Sequence, residues 1–408
     1  MTCDTEEDND PYKINIKLDD DDNDDEISLK AYFEKGLSAL LADDHFLLLY
    51  VPENGGRMQV IRPASDLYHR RRMIKKINEG KWVPSFYYAL SHLWGLTKDN
   101  QHHWNEIGDY VDDENGKPMD PISMRPEKRD ALLALLKDHA DSYWWIDVLC
   151  ARTDTPLDIM GDIYACCLEC IAMIDCEPSL ISRIYTISPL ARKEAEKLKR
   201  RGGGSLTYQE QLHQTKGSLF IHLLYTFFQS QWWQRVWTWQ EMALPFGGVR
   251  FMAEIDVHRL QTYTITMDDV YGFLYMTSIF WFNLNQMNIH AVYTYLQDVV
   301  QAKLSNVSRI GRKNANFVGD IMDSLKESNR RCYDPCDYVY GVLGMMQIKI
   351  PRMEDPNAVW RHFLSELDDL YPLSRGRRWI DHADEIDLRQ VESISEVYAK
   401  LRGIDAGY

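Results

Sequence analysis

Short apolar runs alternate with helical patterns along most of the first 260 residues of this 408-residue chain. The runs at residues 46–50 and 58–62 flank Pro52-Glu-Asn-Gly-Gly56, and Asn-Gly between apolar runs predicts a β-hairpin. Further runs near residues 86–91, 143–147, 170–175 and 248–252 predict four strands with helices between them. This alternation predicts an α/β fold: a mostly parallel sheet with right-handed crossovers and helices on both faces.

Composition suggests four regions. Residues 1–26 hold a net charge of −10 out of −16 for the whole chain, which predicts an acidic disordered tail over residues 1–30. We expect an N-terminal extension with the hairpin at 31–80 and an α/β domain at 81–258, in which the polar residues 97–125 form a long loop. Residues 179–216, a basic helix followed by Gly202-Gly-Gly204, look like an insertion. Residues 259–408 form a helical C-terminal region.

Charge and hydropathy exclude several classes of protein. An acidic chain without a long basic stripe is a poor candidate for binding nucleic acid. No signal peptide is expected at the acidic N-terminus, and the longest apolar stretch, residues 270–284, is too short to span a bilayer. The sequence therefore predicts a soluble cytoplasmic protein with no membrane span.

The eight cysteines are expected to be reduced thiols in such a compartment. Cys167-x-x-Cys170 and Cys332-x-x-x-Cys336 could together supply four zinc ligands. The first group, with Cys166, falls in an apparent helix, where small buried thiols pack well. We predict no metal site.

Polar residues follow the predicted strands. Ser91 and His92 end one strand, Asp147 and Asp175 follow two others, and ligands bind beyond the carboxyl ends of parallel strands. Glu241 lies one helical turn after Trp237, so both side chains share a helix face. These residues are predicted to converge on one cleft.

Each of these residues also has a structural interpretation. Ser91 can cap a turn, His92 can be a hydrogen-bonded packing residue and Asp147 can cap the following helix. Glu241 can sit at the rim of a tryptophan-rich core. The sequence contains neither a glycine-rich phosphate loop after a strand nor a Gly-x-Ser-x-Gly elbow.

Three segments, in order, resemble the motifs of the fungal heterokaryon-incompatibility (HET) domain. They are Tyr88-Ala-Leu-Ser-His-Leu-Trp-Gly95, Trp145-Ile-Asp-Val-Leu-Cys150 and Arg235-Val-Trp-Thr-Trp-Gln-Glu241. Downstream, Arg331-Cys-Tyr-Asp-Pro-Cys-Asp337 and Tyr340-Gly-Val-Leu-Gly344 resemble the segment that often follows this domain. One departure is Ala151-Arg152, where the second motif usually has Asn-Gln.

The HET domain is similar to the TIR fold, so the resemblance implies a TIR/flavodoxin-like sheet. Some TIR domains cleave NAD at the nicotinamide–ribose bond with a glutamate, which corresponds to Glu241 here. The resemblance implies Trp237 as its aromatic partner and Ser91 and Asp147 as strand-end residues. NAD would be a substrate, with no cofactor. The candidate substrate-binding residues are Ser91, His92, Trp94, Asp147, Trp237 and Arg235. Either Arg235 or Arg250 could contact the pyrophosphate.

Three functions follow as hypotheses. The leading one is a cell-death or self/non-self effector that hydrolyses NAD and forms a homo-oligomer on activation. The second is a non-enzymatic signalling module that binds a nucleotide and acts by assembly, because one fold can serve both purposes. The third, a zinc-stabilised interaction domain, depends on cysteine spacing alone.

Overall fold

The computed structural model describes residues 12–16, 24–80, 83–94, 102–200, 216–256, 264–270, 287–311 and 315–406. Most of the acidic run, the glycines at 202–204 and most of the apolar stretch at 270–284 lie outside the described residues. Within the described part of the chain, no helix is both long enough and apolar enough to cross a membrane.

Eight strands form one mixed sheet. In chain order the strands are β1 Leu48–Val51, β2 Met58–Ile61, β3 Tyr87–His92, β4 His103–Trp104, β5 Val111–Asp112, β6 Ile122–Ser123, β7 Ser142–Ile146, β8 Glu169–Ile174, β9 Val249–Ala253 and β10 Ile265–Thr266. The large sheet has the order β10-β9-β8-β3-β7-β1-β2-β5, and β4 pairs with β6 separately.

The four strands predicted from the apolar runs form the parallel centre of this sheet. β3 pairs in parallel with β7 and β8, and β8 pairs in parallel with β9. Successive side chains of a strand point to opposite faces, and every residue of β7 is buried. The sheet is therefore covered on both faces, as buried parallel strands require. The predicted α/β class is confirmed, whereas the likeness to the TIR fold stays a prediction.

The predicted hairpin is confirmed, but it belongs to the main sheet. β1 pairs antiparallel with β2 and also antiparallel with β7, with Leu49 opposite Trp144. The apolar side chains of β1 are buried, so the pairing of β1 with β7 removes apolar surface of both strands from water. The boundary predicted at residue 80 therefore cuts through one continuous sheet.

Helices surround the sheet and make up most of the C-terminal region, to which β10, paired with β9 of the main sheet, also belongs. They are α1 Asp24–Ala42, α2 Leu67–Asn78, α3 Pro126–Asp138, α4 Asp147–Cys150, α5 Ile159–Ala165, α6 Pro178–Arg200, α7 Lys216–Phe228, α8 Trp237–Ala243, α9 Met287–Gly311, α10 Ala315–Leu325, α11 Asp337–Tyr340, α12 Leu343–Met346, α13 Pro356–Leu370 and α14 Ile394–Ala406. The 3-10 segments are Asn105–Asp109, Gln231–Gln234, Ser374–Gly376, Trp379–Glu385 and Leu388–Gln390.

The predicted tail and the predicted long loop need correction. The predicted tail over residues 1–30 contains ordered parts, since Ile16 is buried, its amide donates to Glu34 at 3.0 Å, and α1 begins at Asp24. The predicted loop at 97–125 contains β4, β5 and β6, because Ile107, Val111 and Ile122 are buried among polar neighbours. Isolated apolar residues in a polar background gave no periodic signal.

The predicted insertion begins as a helix of the core. α6 covers residues 178–200 and buries Ile181, Ile184 and Ala191. It packs on α7 and β9, so this part of the predicted insertion belongs to the packed fold. Residues 201–215 lie outside the described ranges.

The cysteines are distributed differently from the prediction. Cys166 and Cys167 follow the end of α5, and Cys170 lies in β8, so they do not share a helix. Burial raises the pKa of the Cys167 and Cys170 thiols. Among the described residues, no group of three or more His, Cys, Asp or Glu side chains could hold a metal ion.

A glycine pair joins the C-terminal region to α5. A Cβ on Gly344 would lie 2.5 Å from the Gly161 Cα atom and 2.9 Å from the Gln240 Oε1 atom. We expect Gly344→Ala to lower the free energy of unfolding by about 1–3 kcal/mol because it overpacks this contact. Gly403→Ala, in α14 with nothing near its Cβ, should instead raise it by roughly 0.5–1 kcal/mol. Denaturant unfolding of both variants checks this, and equal effects would contradict it.

Candidate functional site

A buried hydrogen-bonded group lies at the carboxyl end of β3. The Ser91 hydroxyl donates to the Glu241 carboxylate, and the Trp232 indole nitrogen donates to the Ser91 hydroxyl at 2.8 Å. Ser91 and Trp232 are fully buried, and Glu241 is 8% exposed. β3 and α8 therefore bring Ser91 and Glu241 into direct contact. We refer to Ser91, Trp232 and Glu241 as the Glu241 triad.

Burial is the main influence on the charge of Glu241. The pKa of Glu241 is raised to about 7, mainly by burial and to a smaller extent by the negative charge of Asp147. Hydrogen bonds from the Ser91 and Tyr164 hydroxyls and the positive charge of Arg235 lower this pKa and oppose the rise. At neutral pH the carboxyl group is thus divided between its two protonation states.

This shift predicts a pH-dependent stability. The pKa of Glu241 is higher in the folded chain than its ordinary value of 4.5. Its stabilising contribution is therefore full below about pH 4.5 and is lost as the pH rises through 7, by roughly 3 kcal/mol in all. Glutamine does not titrate, so Glu241→Gln should melt above the wild type at pH 8 and approach it at pH 5. Thermal unfolding at both pH values checks this; an unchanged difference would contradict it.

A second cluster adjoins the first through His92. The His92 Nε2 atom lies 2.9 Å from the Asp147 carboxylate, and the Asp147 carboxylate also accepts from the Trp94 indole nitrogen at 2.5 Å. Burial acts to raise the pKa of Asp147, but the neighbouring His92 and the hydrogen bonds from His92, Trp94 and the Val148 amide lower it overall. The carboxylate is thereby kept ionised and also fixes the Trp94 ring, which is 42% exposed.

Lys128 contacts this cluster at His92. Its buried ammonium group donates to the Leu93 carbonyl and lies 3.2 Å from the His92 Nδ1 atom. The His92 Nδ1 atom also lies 3.0 Å from the Leu93 carbonyl, so one ring nitrogen faces Lys128 and Leu93 while the other faces Asp147. Burial lowers the pKa of Lys128 to about 8, while Glu254, 3.7 Å away, acts against that shift.

The predicted site residues divide into two groups. Ser91, His92, Asp147 and Trp94 line one edge of the sheet next to Glu241, as described above. Trp237 lies elsewhere and bonds Asp337. Burial raises the pKa of Asp337 to about 6, and the hydrogen bond from the Trp237 side chain acts against that rise. Arg235 acts on Glu241 through its charge. Their functional roles stay predictions.

The indole that joins the triad is Trp232, which was not among the predicted site residues. Its backbone amide and that of Gln231 donate to the Asp175 carboxylate at 3.1 and 2.9 Å. Asp175 follows β8, so the carboxyl end of a third strand orients the segment that carries Trp232. The pattern Trp-x-x-x-Glu favoured Trp237, and no spacing in the sequence marks a partner nine residues before Glu241.

The segment after residue 330 packs on the helix that carries Glu241. A Cβ on Gly341 would lie 2.4 Å from a methyl group of Val236, so the two segments touch without room for a side chain. The Val236 amide donates to the Arg331 carbonyl at 3.1 Å. This is the downstream segment whose sequence resembled the one that follows the HET domain.

Comparison with known proteins gives one family match. Residues 87–241 match the family model described as heterokaryon incompatibility protein (HET). The matched segment runs from the first residue of β3 to Glu241. Neither the curated proteins nor the solved structures contain a significant match.

Proposed function

Because residues 87–241 match the HET family model, we propose that this chain acts in heterokaryon incompatibility, as an effector of cell death that hydrolyses NAD. The observation that supports this proposal is the Glu241 triad. A buried carboxylate is held by neutral hydroxyl donors at the carboxyl edge of a parallel sheet, where ligands of such folds bind.

The reaction breaks the bond between C1′ of the ribose and the nicotinamide nitrogen. The bonding electron pair leaves with nicotinamide, which becomes neutral, so the leaving group needs no proton. The ribose acquires oxocarbenium character, and a water molecule then bonds to C1′ and loses a proton. The products are nicotinamide, ADP-ribose and a proton. A buried carboxylate stabilises the developing positive charge, as in glycoside hydrolysis.

The residues around Glu241 take supporting roles in this proposal. Ser91 orients the carboxylate, and Trp232 fixes the direction of the Ser91 hydroxyl. The exposed face of Trp94 offers a stacking surface for the nicotinamide or adenine ring, because base–aromatic stacking needs only a π-face. Asp147 holds that ring in place, and Arg235 supplies positive charge for the pyrophosphate.

The runner-up is a non-enzymatic signalling module. The observation that favours it is the low exposure of Glu241, 8%, with hydroxyl donors already on its carboxylate. In that case Glu241 is a structural element, and the protein binds a nucleotide and acts by homo-oligomeric assembly.

Incubation of the purified chain with NAD separates the two. The proposal expects equal amounts of nicotinamide and ADP-ribose, quantified by chromatography, to accumulate with time. Protein that stays folded and monodisperse, or that assembles with NAD present, yet releases no nicotinamide at any concentration would overturn the enzymatic proposal. Assembly without release would support the signalling module.

A further inference from the structure

Arg330 reaches the segment that carries the Glu241 triad from outside the matched residues 87–241. It lies in the loop after α10 and is 2% exposed. Its Nη1 atom donates to the Arg235 carbonyl at 3.0 Å and to the Thr238 hydroxyl at 2.7 Å. Its guanidinium lies 5.9 Å from the centroid of the Trp233 ring.

Thr238 passes this contact on to the triad. Its hydroxyl accepts from Arg330 and donates to the Trp232 carbonyl at 2.6 Å. The same hydroxyl oxygen lies 2.9 Å from the Arg235 carbonyl oxygen. The Trp232 indole in turn donates to Ser91. A hydrogen-bonded path therefore runs from Arg330 through Thr238 and Trp232 to the Ser91–Glu241 contact.

Asp298 in α9 holds Arg330 and α8 together. Its carboxylate accepts from the Trp239 indole at 2.9 Å and pairs with the Arg330 Nε atom at 3.4 Å. The hydroxyls of Ser324 and Ser328 donate to the same carboxylate at 3.1 and 3.2 Å. A buried carboxylate with this many partners holds its neighbours in one arrangement.

The backbone adds a further restraint. The Arg331 amide donates to the Gln234 carbonyl at 2.6 Å, and the Val236 amide donates to the Arg331 carbonyl. The chain is thus fixed at Gln234 and Val236, and Val236 lies one residue before α8 begins. Both the side chain of Arg330 and the backbone of its neighbour act on that short stretch.

We infer that Arg330 is a positioning residue for Glu241, so that the helical C-terminal region completes the site of the HET domain. The inference rests on the proposed function for its effect on turnover. Its effect on the geometry of the triad can be measured without any turnover.

The test follows the Trp232 indole signal by NMR as a function of pH, with Trp232→Phe used for assignment. The wild-type signal should titrate near pH 7, where Glu241 changes protonation, and Glu241→Gln should remove that transition. Arg330→Lys keeps the charge but cannot reach both acceptors. The substitution should loosen the hydrogen bond from Ser91 to Glu241. Because an intact bond holds the pKa of Glu241 down, its loosening should raise that pKa and move the midpoint upward by roughly 0.5 pH units or more.

Turnover gives the second readout. Arg330→Lys should reduce kcat for nicotinamide release by roughly 10- to 100-fold with little change in KM for NAD, because a small displacement of a reacting group is costly. Arg402→Lys is the matched control. Arg402 bonds Asp323 within the C-terminal helices, and this substitution should leave both the titration and kcat unchanged.

A second variant, Thr238→Val, provides the same test if Arg330→Lys does not fold. Thr238→Val keeps the shape of Thr238 and removes its hydroxyl, so it should move the indole midpoint in the same direction. Thr226→Val, which removes a hydroxyl that donates to the His222 carbonyl within α7, is its control. Wild-type titration in a folded Arg330→Lys or Thr238→Val variant overturns the inference. If the wild type releases no nicotinamide, the proposed function is overturned. A shifted indole titration in the two variants would still support the positioning role of Arg330.

Discussion

Glu241→Gln should reduce nicotinamide release by a factor of at least about 10²–10³, the loss typical of removing one preorganised electrostatic contact. Glutamine keeps the size and hydrogen-bonding reach of glutamate, so the Ser91 and Tyr164 hydroxyls keep an acceptor. What it lacks is the negative charge that the oxocarbenium-like ribose requires. Turnover is measured by chromatography of nicotinamide at saturating NAD.

Glu169→Gln is the matched control for that experiment. Glu169 lies at the first residue of β8, at the opposite edge of the sheet from Ser91, and pairs with Arg250 at 2.8 Å. Its substitution changes the same chemical group and should leave turnover within about twofold, as expected of a partly exposed ion pair. Full activity in folded Glu241→Gln would exclude Glu241 as the catalytic residue.

Asp298→Leu should lower the free energy of unfolding by about 3–5 kcal/mol. The substitution leaves the buried Arg330 charge without its carboxylate partner and removes the acceptor for the Trp239 indole. Denaturant unfolding measures the loss. Adding Arg330→Met to this variant should restore much of the stability, since the unpaired charge is then removed as well.

Asp323→Leu provides the comparison. Asp323 also pairs with an arginine, Arg402, but its side chain is 33% exposed. Water replaces much of that interaction, so its loss should cost about 1 kcal/mol or less. Similar losses for Asp298→Leu and Asp323→Leu would show that the buried pair does not anchor α8.

The parallel centre of the sheet could be predicted because its strands are buried on both faces. Such strands appear in the sequence as continuous apolar runs, and β3, β7, β8 and β9 each lie within two residues of a predicted run. Strand order carries no comparable signal. The pairing of β1 with β7 depends on contacts between distant segments, which local hydrophobicity does not encode.

The candidate site was predictable at the positions where strands end. Ser91 and Asp147 follow apolar runs, and their place at the carboxyl edge follows from parallel pairing. Trp232 was missed because its role depends on the turn at residues 231–234, which Asp175 caps. Trp237 shares a helical spacing with Glu241, but its indole is directed to Asp337 of the C-terminal region.

The contribution of the C-terminal region was beyond sequence-based prediction for a similar reason. Arg330 and Asp298 are 32 residues apart in the chain, and neither lies in one of the segments that resemble HET motifs. Charged residues of this kind are usually solvated. Only the packing of α9 against both α8 and α10 shows that Asp298 and Arg330 are buried beside the Glu241 helix.

The pH dependence of nicotinamide release by the wild-type chain tests the central claim most directly. The active form of Glu241 is the carboxylate, and burial raises the pKa of Glu241 to about 7. Activity should therefore increase as the pH rises through 7 and reach a plateau above pH 8, over a range in which circular dichroism shows folded protein. A rate that is constant or decreases across that range, or the absence of nicotinamide release from folded protein, would contradict the account.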